Sequence, residues 1–277
     1  MTSAKSGKWW TIGGIVIVLY SFFPLLWMAS LAFKPPSDIV SGSPQFWPTT
    51  FTLENFAEIF SQTLFTRALI NSLGIAILAT TVSVIIAMFA AYAIARLEFR
   101  GKTVLLSLAL GIAMFPQAAL VGPLFDMWRG LGIYDTWVGL IIPYLTFALP
   151  LSIWTMSAFF RQIPWEMEHA AQVDGATRWQ AFRKVIVPLA APGVVTTAIL
   201  TFFFCWNDFL FAISLTSTDS ARTVPAALAF FQGASYFESP VPYIMAASVI
   251  VTIPVVILVL IFQRRIVAGL TSGAVKG

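Results

Sequence analysis

ALINSLGIAILATTVSVIIAMFAAYAIA, Ala68 to Ala95, runs for 28 residues without an Asp, Glu, Lys or Arg. A hydrocarbon core of ~30 Å is crossed by about 20 helical residues, so this stretch is long enough to span a bilayer. Its apolar residues are continuous and lack the period-2 alternation of a barrel strand, and a segment in lipid must close its own backbone hydrogen bonds, which makes it a helix. Five further charge-free stretches exceed 20 residues: Trp9 to Phe33, Thr103 to Phe125, Thr136 to Phe160, Val185 to Asn207 and Ser239 to Gln263. The sequence predicts an all-α polytopic membrane protein with one domain over residues 1–277 and spans at about 9–33, 68–95, 103–125, 136–160, 190–214 and 241–263.

Composition agrees. The chain is 58% hydrophobic and 10% charged, against roughly 45–50% and about 25% in a soluble domain. One Cys and one His exclude a disulfide framework, a zinc cluster and a catalytic dyad needing a second such residue. The net charge of +4 would suit nucleic acid only if it formed a basic face, and its distribution says otherwise. With the N-terminus inside, the cytoplasmic side receives Lys5, Lys8, Arg96, Arg100, Lys102, Arg161, Arg178, Arg183, Lys184, Arg264, Arg265 and Lys276. The outside keeps Lys34, Arg67, Arg129 and Arg222. Twelve against four is a positive-inside bias that places both termini in the cytoplasm and leaves no nucleic-acid partner to invoke. Ser30-Leu31-Ala32 imitates a signal-peptide cleavage site, but the apolar run before it exceeds an h-region of about 7–15 residues, so the first span reads as an anchor.

The connections carry the remaining information. Leu53, Phe56, Ile59 and Phe60 have helical spacing and predict a short amphipathic helix in the first outer loop. Pro116 and Pro123 lie within the third span and predict a kink there. The connection from Arg161 to Pro188 holds much of the mixed-sign charge: Glu166, Glu168, His169, Asp174, Arg178, Arg183 and Lys184. Two short helices fit it, from about Pro164 to Asp174 and from about Thr177 to Val187, with Gly175 as the break.

EHAAQVDGATRWQAFRKVIVPLAAPG, Glu168 to Gly193, resembles the cytoplasmic coupling motif of the inner-membrane permeases of binding-protein-dependent ABC importers. That pattern runs E-A-A, three residues, G, nine residues, I-x-L-P; Ala170, Ala171 and Gly175 match it, and Val185, Ile186, Val187 and Pro188 follow at the right distance. The departure is at His169, where the family places its Glu; Glu168 lies one position earlier, about 100° round a helix. Met114 to Tyr144, Trp206-Asn207-Asp208-Phe209 and the tail QRRIVAGLTSGAVKG, Gln263 to Gly277, are similar to the second permease of the maltose and trehalose type of carbohydrate importers, most of all to the trehalose-importing branch. The resemblance extends over nearly the whole chain.

It implies a type I importer permease that binds no cofactor itself, works with a second six-helix permease, and is driven by two copies of an ABC ATPase using ATP and Mg. It also implies an extracytoplasmic sugar-binding protein, soluble or a lipoprotein, a sugar substrate such as trehalose or maltose, and residence among the lipids of a bacterial inner membrane. Carried onto this sequence, it places ATPase coupling at Glu168, His169, Ala170, Ala171, Asp174, Gly175 and Pro188, with Glu168 and His169 as alternatives for the ionic contact. It places a cytoplasmic tail contact at Gly269, Thr271, Ser272 and Gly273, and an approach to the binding protein in the outer loop from Thr216 to Pro242.

Residue chemistry adds two points. Gly101-Lys102-Thr103 supplies the end of a Walker A loop, but Arg96 stands where the leading Gly belongs, so ATP must bind another polypeptide. Asp208 is an ionisable residue inside a span, where a carboxylate costs roughly 2.5–3.5 kcal/mol unless it faces a polar cavity or a partner. Trp206, Asn207 and Asp208 offer a ring for the CH face of a sugar and polar groups for its hydroxyls within one turn. Equally, Asn207 and Asp208 can bond a neighbouring helix or cap a break. An ion-coupled secondary transporter of small solutes is the competing function; it calls for intramembrane acids or broken helices in both halves of the chain. An intramembrane enzyme needs paired catalytic groups at depth, which one His and one Cys do not supply.

Overall fold

The computed structural model describes residues 4–40, 46–231 and 240–272, and every regular element among them is helical. In chain order these are α1 (Ala4–Ala32), α2 (Pro36–Val40), α3 (Glu54–Ser61), α4 (Thr63–Arg96), α5 (Lys102–Ala113), α6 (Gln117–Leu131), α7 (Trp137–Gln162), α8 (Trp165–Val173) and α9 (Arg178–Ala181). A π-helical turn over Phe182–Ile186 follows, then α10 (Val187–Leu189), α11 (Ala191–Asn207), α12 (Leu210–Leu215), α13 (Val224–Leu228) and α14 (Val241–Ser272). Met1–Thr66 with Ala227–Ile253 form one compact unit, and Arg67–Ala226 with Pro254–Gly277 a second.

Four helices contain continuous apolar segments long enough to cross a bilayer: Trp9–Ala32, Thr63–Arg96, Trp137–Gln162 and Val241–Gln263. The other two expected spans are broken. The third is α5 and α6 meeting at 86°, a full break where the two prolines predict a kink. Pro116 has no N–H to return to Ile112 and drives the chain into an extended step at ψ 115, so α5 ends at Ala113 and α6 starts afresh. Pro123, by contrast, sits inside the continuous α6. The fifth span runs through α11, breaks at Asp208, where ψ is 127, and resumes as α12.

In the first unit α1 is exposed along most of its length, as a lipid-facing helix would be, with Trp10 and Tyr20 at 80% and 82%. Its C-terminal end is fixed by α3, the expected amphipathic helix. Asn55 is buried there and donates through Nδ2 to the carbonyls of Ala32 and Lys34, both at 2.8 Å, while Phe33 packs against Phe56 with ring centres 5.0 Å apart.

In the second unit α4, α7 and α11 are joined by a chain of buried hydroxyls: Ser83 to Ser152 at 3.2 Å and Ser152 to Thr201 at 2.9 Å. Such short polar links hold apolar helices together where lipid offers no hydrophobic drive to associate. Near the start of α7, Trp137 lies so close to α4 that a Cβ on Gly74 would enter its indole ring; the ring nitrogen donates to Asn71 Oδ1 at 3.0 Å. Asn71 in turn donates to the carbonyls of Asp219 and Arg222, both at 3.0 Å. At the other end of α7, Ala87, Ala91, Met156, Phe160, Ile163, Phe182, Ile186 and Ala190 form a buried apolar core that includes the connection after α7.

Candidate coupling site and substrate path

The expected helix-turn-helix is present. Pro164 caps α8, which carries Glu166 and Glu168 in its first turn, where acidic side chains favour the positive helix end. Gly175 ends α8 at φ +88, a left-handed conformation that costs an L side chain roughly 1–2 kcal/mol. Gly175 N–H donates to Gln172 at 3.0 Å and Ala176 N–H to Ala171 at 2.9 Å, the two bonds of a Schellman cap. Thr177 then opens α9 with a reciprocal capping box to Gln180. A π turn follows because Pro188 cannot give an N–H to the Lys184 carbonyl; the Val187 N–H instead reaches back to Phe182. The loop is therefore capped at each joint and holds one shape.

Its two faces differ sharply. Glu168 is only 5% exposed. Its Oε1 accepts from the Tyr92 hydroxyl at 2.6 Å and its Oε2 lies 3.8 Å from Arg96 Nε. His169, Ala170, Asp174, Gly175 and Pro188 are exposed, Ala171 is half-buried, and Val173 is 86% exposed. Of the two alternatives for an ionic contact, the fold spends Glu168 on the chain's own α4 and presents His169, beside Trp165 with ring centres 6.1 Å apart. The helix register explains this: the step from 168 to 169 turns the side chain from the core to the surface. On the second helix Trp179 stacks on Phe89 at 6.1 Å, and Phe182 packs on Tyr92 at 4.7 Å. Tyr92 and Arg96 are the residues that sequence reading missed. Arg96 counted there only as a cytoplasmic charge and as the residue that interrupts a Walker A pattern, and its hydrogen-bond partner Ile163 lies 67 residues away.

The candidate path residues separate. Trp206 is 2% exposed and stacks on Phe202 at 5.5 Å, inside the bundle. Asn207 is exposed, its Nδ2 donating to the Phe203 carbonyl at 2.8 Å. Asp208 sits in the helix break, half-buried, with Oδ2 accepting from the Tyr144 hydroxyl at 2.9 Å and the Ala212 N–H at 3.0 Å. It thus caps α12 and binds a neighbouring helix, and Trp206 does not share a surface with its two neighbours. Of the tail residues, Gly269, Thr271 and Ser272 continue α14, and Gly273 lies outside the described residues. Residues 232–239 of the outer loop lie outside them too.

Asp135 closes the end of this unit opposite the coupling loop. It adopts φ 58 and receives the N–H groups of Ser217 and Thr218 at 2.9 and 3.2 Å and the Thr218 hydroxyl at 2.5 Å. Partial burial pushes its carboxyl upward, but these bonds outweigh that and hold it below the usual carboxylate range.

The second unit thus combines an exposed, capped helix-turn-helix, a helix broken at a half-buried carboxylate and a bundle of apolar helices. The fold matches the crystal structure of a bacterial ABC transporter involved in the import of the acidic polysaccharide alginate, at a TM-score of 0.81 and 22% identity, covering 95% of this chain and 98% of that one. Residues 83–272 match the family described as binding-protein-dependent transport system inner membrane component, and the chain belongs to that family. It is 55% identical over 274 residues to the trehalose transport system permease protein SugB of Mycobacterium tuberculosis, covering 99% of each. It is 43% identical to the trehalose/maltose transport system permease protein MalG of Thermococcus litoralis, covering 96% of this chain and 95% of that one.

Proposed function

We propose that this chain is one of two membrane-spanning subunits of an ATP-driven importer that takes a disaccharide, trehalose or maltose, from an extracytoplasmic binding protein. The relatives named for those sugars align end to end with it, which supports that substrate class. The observation that carries the mechanism is the coupling loop: rigidly capped at Gly175 and Thr177, anchored inward by Glu168, and bare at His169, Ala170 and Val173. A membrane subunit pushed by a soluble motor needs such a handle. Small residues let another protein's backbone approach, and the exposed Val173 offers it an apolar foothold.

In this reading both termini and residues 164–188 are cytoplasmic, the loop couples the chain to a separate ATPase subunit, and the closing and opening of two such subunits beneath the membrane switches the bundle between outward and inward access. Asp208 and Asn207, at the helix break, stand beside the path.

The test is uptake of labelled trehalose into proteoliposomes holding the complete complex, with all ion gradients collapsed. ATP-dependent uptake that requires the binding protein supports the reading. Uptake driven by an ion gradient without ATP would replace it with a secondary transporter.

A further inference from the structure

We infer that Tyr92, Arg96 and Glu168 form a positioning latch that carries motion of the coupling helix α8 directly into the cytoplasmic end of α4. This rests on the reading that residues 164–188 engage the ATPase. Tyr92 and Arg96 lie four residues apart on one face of α4 and hold the corner between α7 and α8 at three points. The Arg96 guanidinium donates to the Ile163 carbonyl, the last residue before the corner, at 2.6 Å. It lies over the Trp165 ring at 4.6 Å, at the start of α8. Tyr92 donates to Glu168 at 2.6 Å, and its ring packs at 6.2 Å from Phe160 and 4.7 Å from Phe182. One side chain thus touches the helix before the corner, the coupling helix and the segment after it.

The ion pair within the latch is incompletely closed. Arg96 Nε and Glu168 Oε2 are both buried and neither has a hydrogen-bond partner, although they stand 3.8 Å apart. A buried charge pair gains most when its atoms are directly hydrogen-bonded. The pair is thus held by its neighbours, the Tyr92 bond to Glu168 and the Arg96 bond to Ile163, and removing either charge leaves the other buried without its counter-charge.

The experiment compares Glu168→Gln, Tyr92→Phe and the double variant in the complete complex, measuring trehalose taken up per ATP hydrolysed. Each single variant should assemble with the ATPase, keep hydrolysis within about twofold, and lower the uptake-to-hydrolysis ratio at least threefold. The double variant should be no worse than the poorer single one, because the three residues act as one unit. Arg96→Lys, which keeps the charge but cannot both donate to the Ile163 carbonyl and lay a planar cation on Trp165, should fall in the same class. An unchanged ratio in both single variants, or uptake and hydrolysis falling together with the amount of assembled complex, would overturn the latch. A wild-type complex with no ATP-driven uptake would overturn the reading beneath it instead.

Discussion

Asp208 shows how one carboxylate carries two demands. Its Oδ2 accepts two donors, Tyr144 hydroxyl and Ala212 N–H. Asn keeps an acceptor oxygen in the same place, so Asp208→Asn should leave the complex assembled and its thermal stability near wild type. Losing the charge should weaken sugar transport by roughly 1.5–3 kcal/mol, the scale of a hydrogen bond to a charged group, or about 10- to 150-fold in apparent affinity. Uptake against trehalose concentration beside a thermal scan checks this; normal uptake would assign Asp208 to helix capping alone. Gly175 makes the parallel case in the loop. At φ +88 a β-branched side chain is strained whatever space surrounds it, so Gly175→Val should insert normally yet lose most ATP-driven uptake while hydrolysis persists. Unchanged uptake would contradict that. Asp135 is governed by pH. Its folded pKa is depressed, so the stability it contributes is present above the ordinary carboxylate value of about 3.9 and is lost as pH falls through the folded value. Protease sensitivity at residues 216–223 should stay flat from pH 7 to about 4 and rise below it, and Asp135→Asn should be sensitive throughout.

At the scale of elements, what the sequence made legible was whatever depends on local chemistry. Charge-free length announced each span, and Gly175 between two polar helices announced the turn, because both signals lie within a few residues of the structure they cause. The broken elements were legible only in part. Pro116 signalled irregularity, but a missing N–H is common to a kink and to an 86° break, and only packing decides between them. The break at Asp208 carries no Pro or Gly; capping there was one of two alternatives the local sequence left open, and the second donor on the carboxylate, Tyr144, lies 64 residues earlier. The inward role of Glu168 was hidden for the same reason. Its partners Tyr92 and Arg96 are named by the fold, and the neighbouring His169 looked equivalent until the register of α8 separated them.

At the scale of the whole molecule the proposed function has a topological side and a mechanical one. If residues 164–188 and both ends of the chain are cytoplasmic, single cysteines at Ala176 and at Ser6 should react with an impermeant maleimide only after the membrane is opened. One at Ser220, in the loop tied to Asp135, should react in intact cells. The native Cys205 is buried and can be replaced first. The proposal that the chain is driven through this loop is tested most directly by Val173→Cys in the same background, since that side chain is 86% exposed at the tip of α8. Paired with cysteines across the surface of the ATPase, it should form a disulfide with that subunit in the complete complex. The cross-link should stop ATP-driven trehalose uptake, and a reductant should restore it. A complex that transports normally while no position on the ATPase can be cross-linked to residue 173 would contradict the account.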